Sequence, residues 1–210
     1  MPRWFRRGYR RWARHQLERR GYLDPLSKRP PDANPPDYSD LWFLYNVVRQ
    51  RKPRSILEFG SGCSTVIMAQ ALADNLSQSY GEKRGYLYSV DAHPYWAKVT
   101  SDSIPKNLRE FCEVSYSPLL EISYEGTPAF RHAKIPDVVP DLLYLDGPEL
   151  TPERQIAVDV LDLEGRLLPG FYMVVDGRKA NRDFLLRHLK RRYAYKYRRQ
   201  FRNAVFALIP

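Results

Sequence analysis

Four acidic residues stand where short apolar runs end: Glu58 in "SILEFGSGCST" (55–65), Asp91 in "GYLYSVDAH", Asp146 in "DLLYLDG" and Asp176 in "GFYMVVDG". The first run breaks into Gly60-Ser61-Gly62. A strand-to-helix turn needs one glycine at most, and a pair flanking one small residue suits a backbone that a ligand approaches closely. Ser64 or Thr65 then starts a helix. An acid in the position of Asp91 is placed to accept both hydroxyls of a ribose, or to cap the helix "PYWAKV".

The glycine pair and Asp91 together narrow the ligand. A dinucleotide site holds a pyrophosphate at a helix N-terminus and uses Gly-x-Gly-x-x-Gly. Here the third glycine position is Thr65, and the carboxylate of Glu58, two residues before Gly60, would repel a pyrophosphate. The same carboxylate suits the ammonium of an amino acid, directly or through water. A cationic amino acid at one end and a ribose at the other describe S-adenosyl-L-methionine rather than NAD.

The elements that must position these residues alternate. Strands are expected at "SILEF", "GYLYSVDAH", "CEVSYS", "DLLYLDG" and "GFYMVVDG", with helices at "STVIMAQALADNLSQS", "PYWAKVTSDSIPKNLREF" (broken at Pro105), "TPERQIAVDVLDLEGRLL" and "NRDFLLRHLKRR". The stretch to Pro140 after the third strand reads as irregular. "YAYKYRR" and "NAVFALI" are joined too tightly for a crossover and make an antiparallel hairpin. Alternation of this kind gives an α/β, Rossmann-like, doubly wound and mostly parallel sheet. Its ligands lie beyond the carboxyl ends of the strands. That gathers Glu58, Gly60, Ser61, Gly62, Ser64, Asp91, Ala92, Ser117, Asp146 and Asp176 around one site. Glu149, Arg154 and His93 stand at its mouth as candidate substrate contacts. His132 is a second histidine of interest, although a lone histidine is more often structural. Ser115 and Tyr116 lie at the end of the third strand.

Ahead of that domain, residues 1–21 read as a basic amphipathic helix and 22–38 as a linker broken by Pro30, Pro31, Pro35 and Pro36. "NPPDY" (34–38) precedes the sheet and belongs to this linker, because a base-methylating Asn-Pro-Pro-Tyr motif must follow the fourth strand. The domain proper is expected over 39–210, opening with a helix capped by Ser39 or Asp40.

The pattern resembles the class I S-adenosylmethionine-dependent methyltransferases over roughly residues 39–210. "LEFGSGCST" is similar to their acidic-x-Gly-x-Gly loop, with Ser64 in place of the third glycine, and "YSVDAH" to their ribose-binding acid. "PDLLYLDGPE" followed by "LLPGFYMVVDG" resembles the small-molecule O-methyltransferase branch. The resemblance implies a seven-stranded sheet ending in a reversed hairpin. It also implies methyl transfer to a hydroxyl of a small molecule or glycan. In the metal-assisted members an Asp after strand four and an Asp-Asn pair after strand five hold a divalent cation. Asp146 and Asp176 stand in those places, with Gly177 where Asn is expected, which leaves Mg²⁺ as an open expectation. Without a metal, Asp146 is the candidate general base.

Composition sets the remaining limits. Of 210 residues, 43% are hydrophobic and 13% aromatic, as in a globular protein and unlike a disordered chain, and the formal net charge is +10. No apolar run reaches the roughly 20 residues of a membrane span. Cys63 and Cys112 form neither a pair nor a metal cluster, and they suit free thiols in the cytoplasm. The charge is concentrated: eight arginines and one acid, Glu18, in residues 1–21, and a basic run over 177–202 with Asp183 as its single acid. Such ends suit an anionic membrane surface, with Trp4, Phe5 and Trp12 as interfacial side chains. Nucleic acid is the alternative partner, which would make the enzyme an RNA methyltransferase. A non-catalytic S-adenosylmethionine-binding module is the third reading.

Overall fold

The computed structural model describes residues 3–77, 84–149, 151, 156–199 and 201–210. In chain order the elements are α1 (Arg3–Glu18), α2 (Tyr38–Arg51), β1 (Ser55–Phe59), α3 (Cys63–Ser77), β2 (Tyr86–Asp91), α4 (Pro94–Ser103), β3 (Cys112–Tyr116), β4 (Leu119–Tyr124), β5 (Thr127–His132), β6 (Leu142–Leu145), α5 (Asp159–Leu163), β7 (Tyr172–Asp176), α6 (Lys179–His188), β8 (Tyr193–Arg198) and β9 (Asn203–Leu208). Short 3-10 turns occupy Asp24–Lys28, Lys106–Leu108 and Glu164–Arg166.

Seven strands form one sheet in the order β3-β2-β1-β6-β7-β9-β8. β1 runs parallel to β2 and β6, β6 to β7, and β2 to β3, whereas β9 is antiparallel to both β7 and β8. This is the expected doubly wound sheet with its reversed C-terminal hairpin. Along the central strands, successive side chains enter opposite apolar clusters. Ile56, Leu142 and Val174 pack with α2 and α3 on one face; Leu57, Leu143 and Val175 pack with α5 and α6 on the other. Both faces are therefore covered, which is why these strands are continuous apolar runs rather than alternating ones.

Register sets the site. Phe59 lies opposite Val90 and Leu145, and Leu145 opposite Val175. The residues that follow, Gly60, Asp91, Asp146 and Asp176, consequently leave the sheet side by side at one edge.

Three expectations are corrected. The stretch after β3 is not irregular: β4 and β5 form a separate two-stranded antiparallel sheet. Glu125 and Gly126 turn it, both at positive φ, as a two-residue hairpin loop requires. The helix expected over 151–168 is reduced, among the described residues, to α5 and the 3-10 turn after it. Residues 156–158 are instead drawn out along β5, where Phe130 donates to the Ile156 carbonyl and Val158 donates to that of Phe130, each at 3.0 Å. The Asn181 side chain brackets Ala157, accepting from its N–H at 3.0 Å and donating to its carbonyl at 2.9 Å. Finally, α2 is capped neither by Ser39 nor by Asp40. The Asp37 carboxylate accepts from the Ser39 N–H at 2.9 Å, which leaves Asp40 for another use.

α1 packs on this frame through its apolar side. Ala13 and Leu17 are fully buried in the cluster that holds Leu44, Val48 and Leu72. Tyr9 contacts Phe201 and Trp12 meets Trp42 edge-on. Leu17→Ala should therefore lower the unfolding free energy by about 2–5 kcal/mol, read from urea denaturation. An unchanged midpoint would mean that α1 is detachable from the core.

Candidate functional site

Glu58 sits beneath the glycine loop with no exposed surface. One carboxylate oxygen accepts from Ser64 Oγ at 2.5 Å; the other accepts from Thr65 Oγ1 at 2.6 Å and Ser89 Oγ at 2.7 Å. Burial pushes its carboxyl up to about 7 even though the three hydroxyls favour the ionised form. The side chain therefore ties β1 to the start of α3 and to β2. It does not line the cavity above, so the amine contact expected of it is replaced by a bracing one.

The two glycines differ in what they permit. Gly60 has φ +91°, and a Cβ there would come within 2.5 Å of the Gly147 backbone, so it is glycine for its conformation and its neighbour. At Gly62 an added Cβ would meet nothing within 4 Å, and this is the open part of the loop. The Gly62 N–H donates to Thr65 Oγ1 at 3.0 Å, closing the turn into α3.

Asp91 is buried and clamped. Its Oδ2 accepts from the N–H of Ser61 at 2.9 Å and its hydroxyl at 2.6 Å, and its Oδ1 from the N–H of His93 at 2.8 Å. A carboxylate has about four acceptor sites, so it retains capacity for a ligand. Asp91 is not the cap of α4, whose N-cap is His93 with no side-chain cap bond; its carboxylate holds the His93 N–H instead.

Above these residues lies a cavity of about 640 Å³, within the usual size of a small-molecule site. Gly60, Ser61, Gly62, Ser64, Asp91, Ala92, His93, Asp146, Glu149 and Asp176 all line it. Ser117 does not: it is buried, and its hydroxyl accepts from the Lys134 N–H at 2.9 Å. Nor does His132, which is buried between Phe59 and Asp159 and stacks on the Phe59 ring. Arg154 lies outside the described residues. Cys63 lines the cavity with its thiol pKa raised by burial, and Cys112 is buried with its thiol pushed up to about 12. Neither thiol has the character of a nucleophile.

Several lining groups were not anticipated. Trp96, on α4, offers an aromatic face on the Asp91 side of the chain. Leu26, Arg29 and residues 33–37 form a wall, so the Pro-rich linker covers the site. Arg10 holds that wall by donating to the Pro36 carbonyl at 3.1 Å. Nothing in a proline-rich stretch gives it a register against a sheet, so no sequence signal places it there.

Part of the cavity lining is acidic. Asp37, Asp40, Asp146 and Asp176 all line it. Burial, then the charges of Asp176, Asp37 and Asp146, push the Asp40 carboxyl up to about 8. Burial and the charge of Asp146 push Asp176 up to about 7. Asp146 presents its side chain to the cavity, and the surrounding protein raises its pKa against the pull of Arg178. Asn203 Nδ2 donates to Asp40 Oδ1 at 3.2 Å, across from Asp176 in the β7–β9 ladder.

Arg178, the first residue before α6, is the cation among them. It is buried, and its Nη2 donates to the carbonyls of Asp146, at 2.7 Å, and of Pro148. These residues do not fit the divalent cation expected at Asp146 and Asp176. Among the described residues no three His, Cys, Asp or Glu side chains converge to hold a metal ion. Gly177 has φ +53°, a conformation Asn also tolerates, but it brings no ligand atom. The positive charge beside Asp146 is a guanidinium.

With this geometry in place, solved structures become informative. An O-methyltransferase from Bacillus cereus in complex with SAH superposes with a TM-score of 0.56 at 14% identity, covering 92% of this chain and 90% of that one. An SAH-bound methyltransferase from Podospora anserina gives 0.57 at 13% identity, covering 100% and 89%. The O-methyltransferase TomG from Streptomyces achromogenes, involved in tomaymycin synthesis and complexed with SAM, gives 0.53 at 15% identity, covering 90% and 86%. The fold is that of the class I methyltransferases. No family model and no curated protein matches the chain.

The raised acids make stability depend on pH. Unfolded Asp40 ionises near pH 4, at about 3.9, whereas the folded group ionises at about 8. The folded state therefore holds more protons between those values, and this contribution is full at low pH and lost as pH rises through about 8. Asp40→Asn keeps an oxygen for Asn203 and should unfold a few °C above wild type at about pH 9, with the difference closing near pH 4. Equal melting curves at both pH values would show that Asp40 ionises normally.

Proposed function

We propose that the chain is an S-adenosylmethionine-dependent methyltransferase acting on a hydroxyl of a small molecule or glycan. The observation that carries this reading is the shared cavity above Gly62 and Asp91 at the carboxyl edge of the sheet. The SAM- and SAH-bound methyltransferases of the same fold support it.

The lining fits the donor. Asp91, anchored from both sides, suits the ribose hydroxyls, and Trp96 offers an apolar face to a base. The open Gly62 leaves room for the amino-acid end, and the carboxylates beyond it favour a ligand carrying positive charge. When bound, the donor supplies a methyl carbon on a sulfonium; the acceptor oxygen forms the new C–O bond while the C–S pair stays on sulfur. The protein's part is to hold the oxygen in line, keep water out and take the hydroxyl proton. Asp146 and Asp176 lie on the cavity wall with carboxyl proton affinities raised by burial, that of Asp176 to about 7, the direction a general base requires. No step passes through Mg²⁺. Residues 33–37 wall part of the cavity and would contribute to excluding water.

Calorimetric titration with S-adenosylmethionine tests the reading. Saturable binding is expected, weakened about tenfold or more in Asp91→Ala and less in Asp91→Asn, which keeps an acceptor oxygen. No heat with a folded protein would end the methyltransferase reading. Binding with no acceptor turning over across a broad hydroxyl panel would favour the non-catalytic module.

An anionic membrane surface is the partner proposed for α1. Arg6, Arg7, Arg10, Arg11 and Arg14 are exposed, and Trp12 is 47% exposed. Tyr9 and Trp12 are engaged with Phe201 and Trp42, so the attraction is chiefly electrostatic. Among the described residues no helix is long and apolar enough to cross a membrane. Co-sedimentation with phosphatidylglycerol vesicles should fall at least about tenfold in Arg6→Glu/Arg11→Glu, since each basic side chain at such a surface contributes about 1 kcal/mol. Equal sedimentation of both proteins would exclude α1 as the contact. Tighter, salt-sensitive binding to RNA than to vesicles would favour the nucleic-acid alternative.

A further inference from the structure

The metal-assisted chemistry implied by the resemblance needs a cation next to the acceptor oxygen, and the residues at that place do not form a metal site. What they provide instead is Arg178. Its exposure is 4%, and it lines the cavity together with Asp146 and Asp176. Nη2 is spent on two backbone carbonyls. Nε and Nη1 are enclosed without a hydrogen-bond partner among the described residues. Unmatched donors of a buried cation are costly, and a native fold that keeps them usually has a partner for them in the working state. Arg178 is one of the residues lining the cavity, so a small movement of its side chain would bring these donors to a ligand oxygen bound there.

A second feature acts in the same direction. Arg178 stands at the N-cap of α6, a ten-residue helix with no acidic residue in its first turn. The helix terminus adds partial positive charge to that of the guanidinium.

Resting on the methyltransferase reading, we infer that Arg178 takes the place of a metal ion: it binds the acceptor oxygen and lowers the proton affinity of its hydroxyl, and the acceptor is therefore one with an acidic hydroxyl, such as a phenol. The proton passes to a neighbouring carboxylate, Asp146 or Asp176. The oxygen lone pair forms the bond to the methyl carbon of the sulfonium donor, and the C–S bonding pair remains on sulfur, giving a neutral sulfide. Charge balances, since the donor loses one positive charge and one carboxylate gains one proton. A guanidinium suits this role because it remains protonated throughout. Asp37, Asp40, Asp146, Asp176 and Glu149 all line the cavity and oppose formation of an oxyanion. Arg29 and His93 are the other basic groups on the lining. A net fall in the proton affinity of a bound phenol would thus be opposed by most of the wall, and Arg178 is the buried group that can cause it.

The experiment uses 4-nitrophenol, whose visible absorption separates phenol from phenolate, titrated into full-length protein saturated with S-adenosylhomocysteine. The bound dye should ionise at least about one pH unit below the free dye, a tenfold change in its acid constant. Arg178→Met should abolish that shift, and Arg178→Lys, which keeps a point charge without the planar fork, should retain part of it. A bound dye with no shift in the wild type overturns the inference whether or not the variants fold. Persistence of the full shift in a folded Arg178→Met also overturns it, as does the absence of saturable dye binding. S-adenosylmethionine calorimetry on the same preparation separates the two levels. Donor binding without a dye shift removes the role of Arg178 and leaves the methyltransferase reading, whereas no donor binding removes both.

Discussion

A single buried carboxylate organises the carboxyl edge of this sheet. Glu58 has no solvent to ionise into, and it keeps its place by gathering Ser64, Thr65 and Ser89 around its two oxygens. Those hydroxyls come from the first turn of α3 and from β2, so one side chain fixes the helix start and the strand spacing beneath the glycine loop. Removing a partner would leave an unmatched acceptor in the core, which costs on the order of 1–3 kcal/mol or more for a charged group. The loop above can therefore stay open at Gly62 without becoming loose. Asp91 repeats the device on the ligand side by clamping Ser61 and His93.

The acidic part of the cavity lining is the opposite case, an arrangement that does not minimise folding energy. Burial raises the proton affinity of Asp40, Asp146 and Asp176, neighbouring acids raise Asp40 and Asp176 further, and Arg178 relieves Asp146 and Asp176 through its charge while its hydrogen bonds go to backbone carbonyls. Local groups arranged against their own stability are expected where a site must bind charge or move a proton. Glu58 and this cluster are thus distinguished by satisfaction. The first is fully hydrogen-bonded and structural, whereas the second retains unmatched donors and raised proton affinities.

The sheet was legible because its signals are local. Apolar runs ending in an acid, and a tight turn between the last two strands, specify seven strands and the site edge without knowledge of packing. What sequence reasoning missed depended on partners far along the chain. Residues 156–158 carry a helical pattern, yet Phe130 and Asn181 hold them extended. β4 and β5 were legible in principle, since "YEGT" is a two-residue turn between β-compatible runs, although Pro128 weakens the signal. Asp40 was read as a cap because Ser39, Asp40 and Asp37 are equivalent candidates on propensity, and only the observed bond from the Ser39 N–H to Asp37 separates them. Among the candidate site residues, position at a strand end brought ten to the cavity wall. It could not tell that Glu58 and Ser117 point away, because side-chain direction depends on strand register. Arg178 lay beyond the pattern altogether: its relevance comes from unpaired N–H groups, which no sequence displays.

The charge distribution links these parts. The chain carries a formal net charge of +10, yet its cavity is lined by carboxylates. At physiological ionic strength, fields between exposed charges fade over about 8 Å, so the basic exterior and the acidic chamber act on different partners. The exterior governs encounter, favouring anionic surfaces and anionic small molecules. The chamber governs what remains bound, favouring a cationic donor. On the proposed reading, an acceptor that reaches the chamber as a neutral molecule and ionises only against Arg178 would satisfy both, since it is neither repelled by the carboxylates on entry nor required to carry its charge through them. The wall formed by residues 33–37, tied to α1 by Arg10, lies where these two regions meet. α1 thus has a reason to be basic on its outer side and apolar on its inner side: one face meets the surroundings and, through Arg10, the wall of the cavity, and the other anchors the helix to the core.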